Sequence, residues 1–242
     1  MLTKNQIKLI SSLHQKKYRK EYGLFLAEGV KVIKELLDSK FELEHLYMTE
    51  ELFYDLSPEF KTLVSPVELN KISALTTANN CVALFKIPKD RELRDQGLIV
   101  ALDDVRDPGN LGTIIRLCDW FGISQVVCTK ETVDLYNPKV IQATMGSIGR
   151  VDVHYVDLEL FLKATDLPIY GTFMDGENIY HQILPKKGVI ILGNEANGIS
   201  QRIENRVTYK IAIPQFGDLQ KTESLNVATA TAIVLSEFKR GF

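Results

Sequence analysis

The sequence lacks the features that would place the chain in a membrane, on a secretory route or among disulfide-rich proteins. No apolar run approaches the roughly 20 residues that span a bilayer, and the N-terminus contains no apolar core of a secretory signal. The three cysteines, Cys81, Cys118 and Cys128, are widely spaced and form no CxxC pair. This spacing disfavours a disulfide framework or a zinc site, so we expect a protein of the reducing cytoplasm.

Signatures of several common enzyme classes are also missing. No GxGxxG follows a strand-like run, which disfavours a nucleotide-dependent oxidoreductase, and no GxxxxGK[ST] phosphate loop is present. GxSxG is absent too, and the four histidines lie in no triad-like or metal-like setting. Any chemistry must therefore come from another set of residues.

Charge is distributed unevenly along the 242 residues, although the net charge is only −2. Residues 1–40 carry nine basic and four acidic side chains, a net +5, which leaves −7 for the remainder. The basic residues concentrate in a segment that also contains tyrosines and includes Lys16, Lys17, Arg19 and Lys20. Such a segment suits phosphate contact with base stacking, but taken alone it also fits a solvated helix end.

Apolar periodicity predicts a small N-terminal α/β unit. Helical spacing appears at residues 4–15, 29–37 and 66–75, and strand-like runs appear at residues 24–27, 43–48 and 81–85. Ser65 is a candidate cap for the third helix, with Pro66 at its first position. The polar, proline-containing segment 87–97 is typical of a linker, so we place the domain boundary there.

From residue 98 the pattern predicts a parallel sheet. Strand-like runs occur at residues 98–102, 125–128, 151–156, 169–173, 189–192 and 209–213, with helical patterns between several of them. Leu111, Ile114, Ile115 and Cys118 share one buried helix face. Near-continuous apolar strands alternating with helices indicate a sheet covered on both faces.

Three polar turns are the candidate functional segments, because open α/β sheets bind ligands at the loops that follow their strands. The first spans residues 107–112 and leads to Arg116, which lies off the buried helix face; the second spans residues 193–198; the third spans residues 224–226. Each also fits an ordinary turn or cap when considered alone. Thr222 or Ser224 could cap the last helix, which would leave Asn226 inside its first turn.

Together these segments resemble the SpoU, or TrmH, family of RNA ribose 2′-O-methyltransferases, within the SPOUT class. The first motif of the family is similar to residues 107–112 with Arg116, the second to residues 192–199, and the third to residues 213–214 and 224–228. An intervening family segment is similar to residues 137–138 and 145–147. The N-terminal part, through residues 25–29, resembles the substrate-binding domain of many members.

The resemblance implies an α/β fold with two parts. Residues 1–90 would form a smaller RNA substrate-binding domain, and residues 97–242 a parallel-sheet catalytic domain whose C-terminal segment forms a deep trefoil knot. It also implies a homodimer and S-adenosylmethionine as methyl donor, with no metal. Residues that would hold the adenosyl part are Thr172, Gly193, Ile213 and Leu225.

The implied reaction is attack of a ribose 2′-hydroxyl on the donor methyl group. By resemblance Arg116 is the group nearest that hydroxyl, and the residues that would orient it and the ribose are Asn110, Glu195, Ser224 and Asn226. The basic segment with Lys16, Lys17, Arg19 and Lys20 would dock RNA. Ribosomal RNA is the expected substrate; transfer RNA, or a non-catalytic RNA-binding protein with this fold, are the alternatives.

Overall fold

The computed structural model describes residues 1–89, 91–219, 221 and 224–240. The chain divides into two compact units, one made of Met1–Asp90 with Asp134–Arg150 and the other of Arg91–Val133 with Val151–Phe242. The sequence predicts a division near residue 90. It does not predict that a segment from the middle of the chain joins the first unit.

Helices and strands are labelled in chain order. The helices are α1 (Lys4–Ser12), α2 (Lys16–Tyr22), α3 (Val30–Leu37), α4 (Pro66–Ile72), α5 (Pro108–Trp120), α6 (Pro138–Thr144), α7 (Leu158–Ala164), α8 (Gln201–Glu204) and α9 (Val227–Lys239). The strands are β1 (Leu24–Glu28), β2 (Leu43–Met48), β3 (Lys61–Leu63), β4 (Cys81–Lys86), β5 (Leu98–Leu102), β6 (Gln125–Thr129), β7 (Asp152–Val156), β8 (Ile169–Asn178), β9 (Gly188–Leu192) and β10 (Tyr209–Ala212).

The first unit is built on a four-stranded sheet in the order β1-β4-β2-β3. The predicted cap of α4 is confirmed, since the Ser65 side chain accepts a hydrogen bond from the Glu68 amide and the Glu68 side chain accepts one from the Ser65 amide. The predicted helix over residues 4–15 ends at Ser12 instead. Leu13 is fully buried there and Gln15 is extended, so the chain turns and begins α2.

Arg19 anchors α2 within the first unit. Its side chain is only 3% exposed, and its Nε and Nη2 atoms lie 3.1 and 2.6 Å from Oδ2 of Asp134. Nη1 donates a third hydrogen bond, of 2.7 Å, to the Leu13 carbonyl oxygen. A buried cation is stable only when paired in this way. Arg19 is therefore buried, whereas the sequence predicts an exposed residue that contacts RNA.

The second unit contains a six-stranded sheet in the order β10-β8-β9-β5-β6-β7, and its paired strands all run parallel. This confirms the predicted α/β class. Strands β5, β6 and β9 are buried along their whole length, as expected for a sheet covered on both faces. The trefoil knot concerns the threading of the chain, which strand order does not test, and it stays a prediction.

Strand β8 is longer than the predicted run at residues 169–173. Its pairing with β10 moves from Lys210 opposite Gly171 to Ile211 opposite Glu177, so residues 172–176 bulge out of the ladder. Such irregularities are common beside functional sites. No helix in the described ranges is long and apolar enough to cross a bilayer.

Candidate active site

The turns after β5 and β9 lie side by side, because these strands are parallel neighbours whose last residues, Leu102 and Leu192, are paired. Asn194 donates from Nδ2 to the Asp104 carbonyl oxygen at 2.7 Å. The Asp103 carboxylate is 3% exposed and accepts a 2.7 Å hydrogen bond from the Ser200 amide. These two hydrogen bonds hold the second turn against the first, one before the tip of the second turn and one after it.

The turn after β9 depends on its glycines. The Asn194 and Gly198 backbones exchange two hydrogen bonds of 2.9 Å, and Gly198 has a φ of +67°, which favours glycine. A Cβ atom added at Gly193 would lie 2.1 Å from the carbonyl carbon of Gly198. Any larger residue at position 193 would force the turn open. The tight closure at Gly193 therefore holds the exposed tip of the turn, which includes Glu195, in a defined position.

Glu195 connects this turn to the start of α5. Its Oε1 atom accepts hydrogen bonds from Nδ2 of Asn110 at 2.9 Å and from the Asp107 amide at 3.2 Å, and Oε2 accepts one from the Arg106 amide at 3.3 Å. Burial alone would raise the pKa of the Glu195 carboxyl. These hydrogen bonds stabilise the charged form and outweigh burial, so the pKa is lowered. Glu195 is therefore a carboxylate at neutral pH.

Asn226 brings in the third turn. It is the N-cap of α9, and its Oδ1 atom accepts from the amides of Ala228 and Thr229 at 3.0 and 3.2 Å. Its Nδ2 atom donates to Oδ1 of Asn110 at 2.9 Å. The expectation that Asn226 lies inside the first helical turn is wrong, because asparagine itself is a good N-cap. Ser224 is exposed and precedes the cap, and Thr222 lies outside the described residues.

The three turns thus converge through a chain of side-chain hydrogen bonds from Glu195 to Asn110 to Asn226. Arg116 lies on the exposed surface of α5. Within the described part of the chain it does not belong to this set of bonds. Helix α5 itself begins at Pro108, with Asp107 as its N-cap.

Three of the residues predicted to hold the adenosyl group, on β8 and directly after β9 and β10, lie at the level of the sheet where β9 ends. Thr172 follows Gly171, which pairs with Ile191 of β9, and its hydroxyl donates to the Ile191 carbonyl oxygen at 3.1 Å. Gly193 follows β9 and Ile213 follows β10. Since parallel neighbours end at one edge of a sheet, these residues share that edge.

Leu225 is the fourth residue of that set. It is apolar and 48% exposed, beside the Asn226 cap, and Ile213 is half-buried. Apolar side chains next to main-chain polar groups fit a flat aromatic ring with a polar edge. No group of three metal-binding side chains occurs among the residues that the structure describes.

Sequence reasoning missed the residues that hold the turns together. Asp103 and Asp104 precede the first turn and Asn194 lies within the second, but their bonds join positions about 90 residues apart. A run of two aspartates directly after a buried strand was the available signal. Asp104 also has a φ of +60°, which sequence reasoning did not anticipate.

Comparison with known proteins gives two family matches. Residues 97–236 match the SpoU rRNA Methylase family, and residues 4–83 match the MRM3-like substrate binding domain. The chain is 30% identical over 240 residues to the 23S rRNA (guanosine(2553)-2′-O)-methyltransferase RlmP of Bacillus subtilis, covering 96% of this chain and 95% of that relative.

Two solved structures are similar over the whole chain. A TrmH-family structure from Porphyromonas gingivalis is 35% identical, with a TM-score of 0.88 and full coverage of both chains. An AdoMet-bound rRNA methyltransferase from Sinorhizobium meliloti is 28% identical, with a TM-score of 0.86, covering 100% of this chain and 96% of that one.

The lowered pKa of Glu195 predicts how the turn responds to acid. Because folding lowers the pKa of the Glu195 carboxyl, its charged form stabilises the turn fully at pH values above the ordinary pKa of a glutamate. This stabilisation is lost as the pH falls through the lowered pKa. We expect Glu195→Gln at neutral pH to expose the Arg106 and Asp107 amides to faster hydrogen exchange. Glu92→Gln, at an exposed position of the second unit outside these turns, is the control. Equal protection in wild type and Glu195→Gln would contradict the anchoring role.

Proposed function

The chain belongs to the SpoU rRNA methylase family, and from that premise we propose that it transfers a methyl group from S-adenosylmethionine to a ribose 2′-hydroxyl of ribosomal RNA. The observation that carries this proposal is the chain of hydrogen bonds from Glu195 through Asn110 to Asn226. It assembles the three family motifs at one edge of a parallel sheet. The names of the relatives, RlmP and the AdoMet-bound rRNA methyltransferase, support the same reaction.

The protein's residues would position the ribose and stabilise its developing charge. A 2′-hydroxyl is a weak nucleophile at neutral pH, so its proton would pass to solvent water while the protein stabilises the oxygen that keeps the electron pair. Arg116 is a poor base because a guanidinium keeps its proton in proteins. We therefore assign Arg116 to binding the adjacent phosphate and stabilising the forming alkoxide.

Glu195 acts on the reaction through Asn110. Its pKa is lowered and its oxygens already accept hydrogen bonds from Asn110, Asp107 and Arg106, so it is a poor proton acceptor. Because the carboxylate can only accept, Asn110 must present Nδ2 to it and Oδ1 to Asn226. This order holds Asn110 and Asn226 in one orientation, and Ser224 next to them offers a further hydroxyl to the ribose.

Thr172, Gly193, Ile213 and Leu225 would hold S-adenosylmethionine, which supplies an electrophilic methyl group when bound. The apolar side chains of Ile213 and Leu225 would contact the adenine ring, and main-chain groups near Gly193 would meet its polar edge. Exclusion of water from this edge would favour the reaction, because the negative charge that develops on the ribose oxygen and the positive charge of the sulfonium neutralise each other as the methyl group is transferred. The C-terminal knot implied by the family resemblance would enclose this site.

We propose that residues 1–90 form the RNA substrate-binding domain and residues 97–242 the methyltransferase domain. Lys16, Lys17 and Lys20 are exposed on α2, while Arg19 holds that helix in place through Asp134. The lysines would therefore contact phosphates, with Arg19 as their support. The match to a substrate binding domain over residues 4–83 supports this division of roles.

A homodimer in the cytoplasm is the proposed state of the protein. Trp120 is 83% exposed on α5, and a second copy of the chain would cover its indole ring. Cys81, Cys118 and Cys128 are buried free thiols, as expected in a reducing compartment. Transfer RNA remains the second candidate substrate, and a non-catalytic RNA-binding protein with this fold is the alternative that an assay distinguishes.

Replacing Arg116 tests the reaction directly. We expect Arg116→Ala to reduce methyl transfer at least about 100-fold, because charge stabilisation at the reacting oxygen is lost. The affinity for S-adenosylmethionine, measured by calorimetry, should stay near that of wild type, and NAD should give no binding heat. Arg202→Ala, at an exposed position of α8, is the control. Near-normal turnover of Arg116→Ala would refute the assignment.

The different roles of Arg19 and the lysines on α2 give a second test. We expect Lys17→Gln with Lys20→Gln to weaken RNA binding about tenfold and to leave the melting temperature unchanged. Arg19→Gln should instead lower the unfolding free energy by about 3 kcal/mol, because it leaves a carboxylate without its cation. Filter binding and thermal unfolding measure both effects. An unchanged melting temperature with weakened RNA binding in Arg19→Gln would show that Arg19 contacts RNA.

A further inference from the structure

The turns after β5 and β9 carry several negative charges, although the proposed substrate, RNA, is itself a polyanion. Four carboxylates, those of Asp103, Asp104, Asp107 and Glu195, belong to the hydrogen-bonded turns. RNA can approach such an edge only if cations offset the repulsion. Arg106 lies in the same turn and its side chain is 70% exposed.

Arg106 is held at both of its ends. Its backbone amide donates to Oε2 of Glu195 at 3.3 Å, and its Nε atom donates to Oδ1 of Asp104 at 2.8 Å. Asp104 is itself fixed, since its amide donates to the Thr129 hydroxyl at 2.9 Å and its carbonyl oxygen accepts from Asn194. The guanidinium is therefore oriented by the same turns that carry the proposed site.

Stability alone does not account for this arrangement. Exposed ion pairs contribute little to folding, and Asp104 has a backbone φ of +60°, a left-handed conformation that is uncommon for residues other than glycine, although aspartate tolerates it better than most. Residues held in such conformations cluster at binding and catalytic sites. The conformation of Asp104 places its carboxylate against Nε of Arg106. It therefore fixes the direction in which the guanidinium points.

We propose that Arg106 binds a backbone phosphate of the substrate RNA beside the nucleotide to be methylated, and so positions the target ribose at this edge. The proposal rests on the proposed function and adds a second phosphate contact to that of Arg116. The bond to Asp104 uses the Nε hydrogen, which leaves the two terminal NH₂ groups on the exposed end of the side chain. Two parallel N–H donors match two phosphate oxygens, a geometry that lysine does not reproduce.

The test compares Arg106→Gln, Arg106→Lys and a matched control, with unmodified in-vitro transcribed 23S rRNA as the probe. The control is Arg91→Gln, because Arg91 is also an exposed arginine paired with an aspartate, with Nη1 3.4 Å from Oδ2 of Asp152. Asp152 is the first residue of β7. In a parallel sheet this places the control pair at the amino edge, opposite the site.

We expect Arg106→Gln to weaken RNA binding about tenfold, a typical loss for one charge-assisted contact. The slope of log affinity against log salt should fall by about 0.7, as for one phosphate on a single strand. Arg106→Lys should keep the salt slope and recover only part of the affinity. The affinity for S-adenosylmethionine should be unchanged in every variant, and Arg91→Gln should behave as wild type.

Two results would overturn the proposal. One is wild-type RNA affinity and salt slope in Arg106→Gln, and the other is an equal loss in Arg91→Gln, which would indicate a general charge effect. Failure of the proposed function is distinguishable from both. In that case the wild-type protein itself would bind no S-adenosylmethionine or would transfer no methyl group to RNA, whatever residue stands at position 106.

Discussion

The carboxylate of Glu195 is the constraint on which the candidate site depends. It can only accept hydrogen bonds, so it determines that Asn110 donates to it from Nδ2, and this leaves Oδ1 of Asn110 to accept from Asn226. The amides at the start of α9 complete the order by donating to the other end of Asn226. One ionised group thus orients two amide side chains from segments that are far apart in the sequence.

The parallel sheet makes that contact possible. Strands β8, β9, β5 and β10 end at one edge, so loops separated by many residues meet without long excursions. Gly193 allows the turn after β9 to close tightly, since a side chain there would collide with the backbone of Gly198. Packing of the buried strands and the chemistry of the exposed turns are therefore two consequences of the same topology.

Much of the fold could be predicted from the sequence, because a strand that is buried on both faces of a sheet has a continuous run of apolar residues. Strand β5 spans residues 98–102, as predicted, and β9 differs by one residue. What could not be predicted depends on long-range partners. The pairing of Arg19 with Asp134, 115 residues away, turns an apparently exposed cation into a buried anchor. The inserted segment 134–150 has no local signal either. The cap at Asn226 differs, because asparagine is a preferred N-cap residue and its position was readable from the sequence.

Ribose 2′-O-methylation can be mapped in RNA from a strain that lacks this gene, which shows whether the three turns form an RNA methyltransferase site. We expect ribosomal RNA to lose the modification at one nucleotide. Reintroduction of the wild-type gene should restore it, and reintroduction of the Asn110→Ala variant should not. Unchanged 2′-O-methylation of every ribosomal and transfer RNA in the deletion strain would contradict the assignment of this site to RNA methyl transfer.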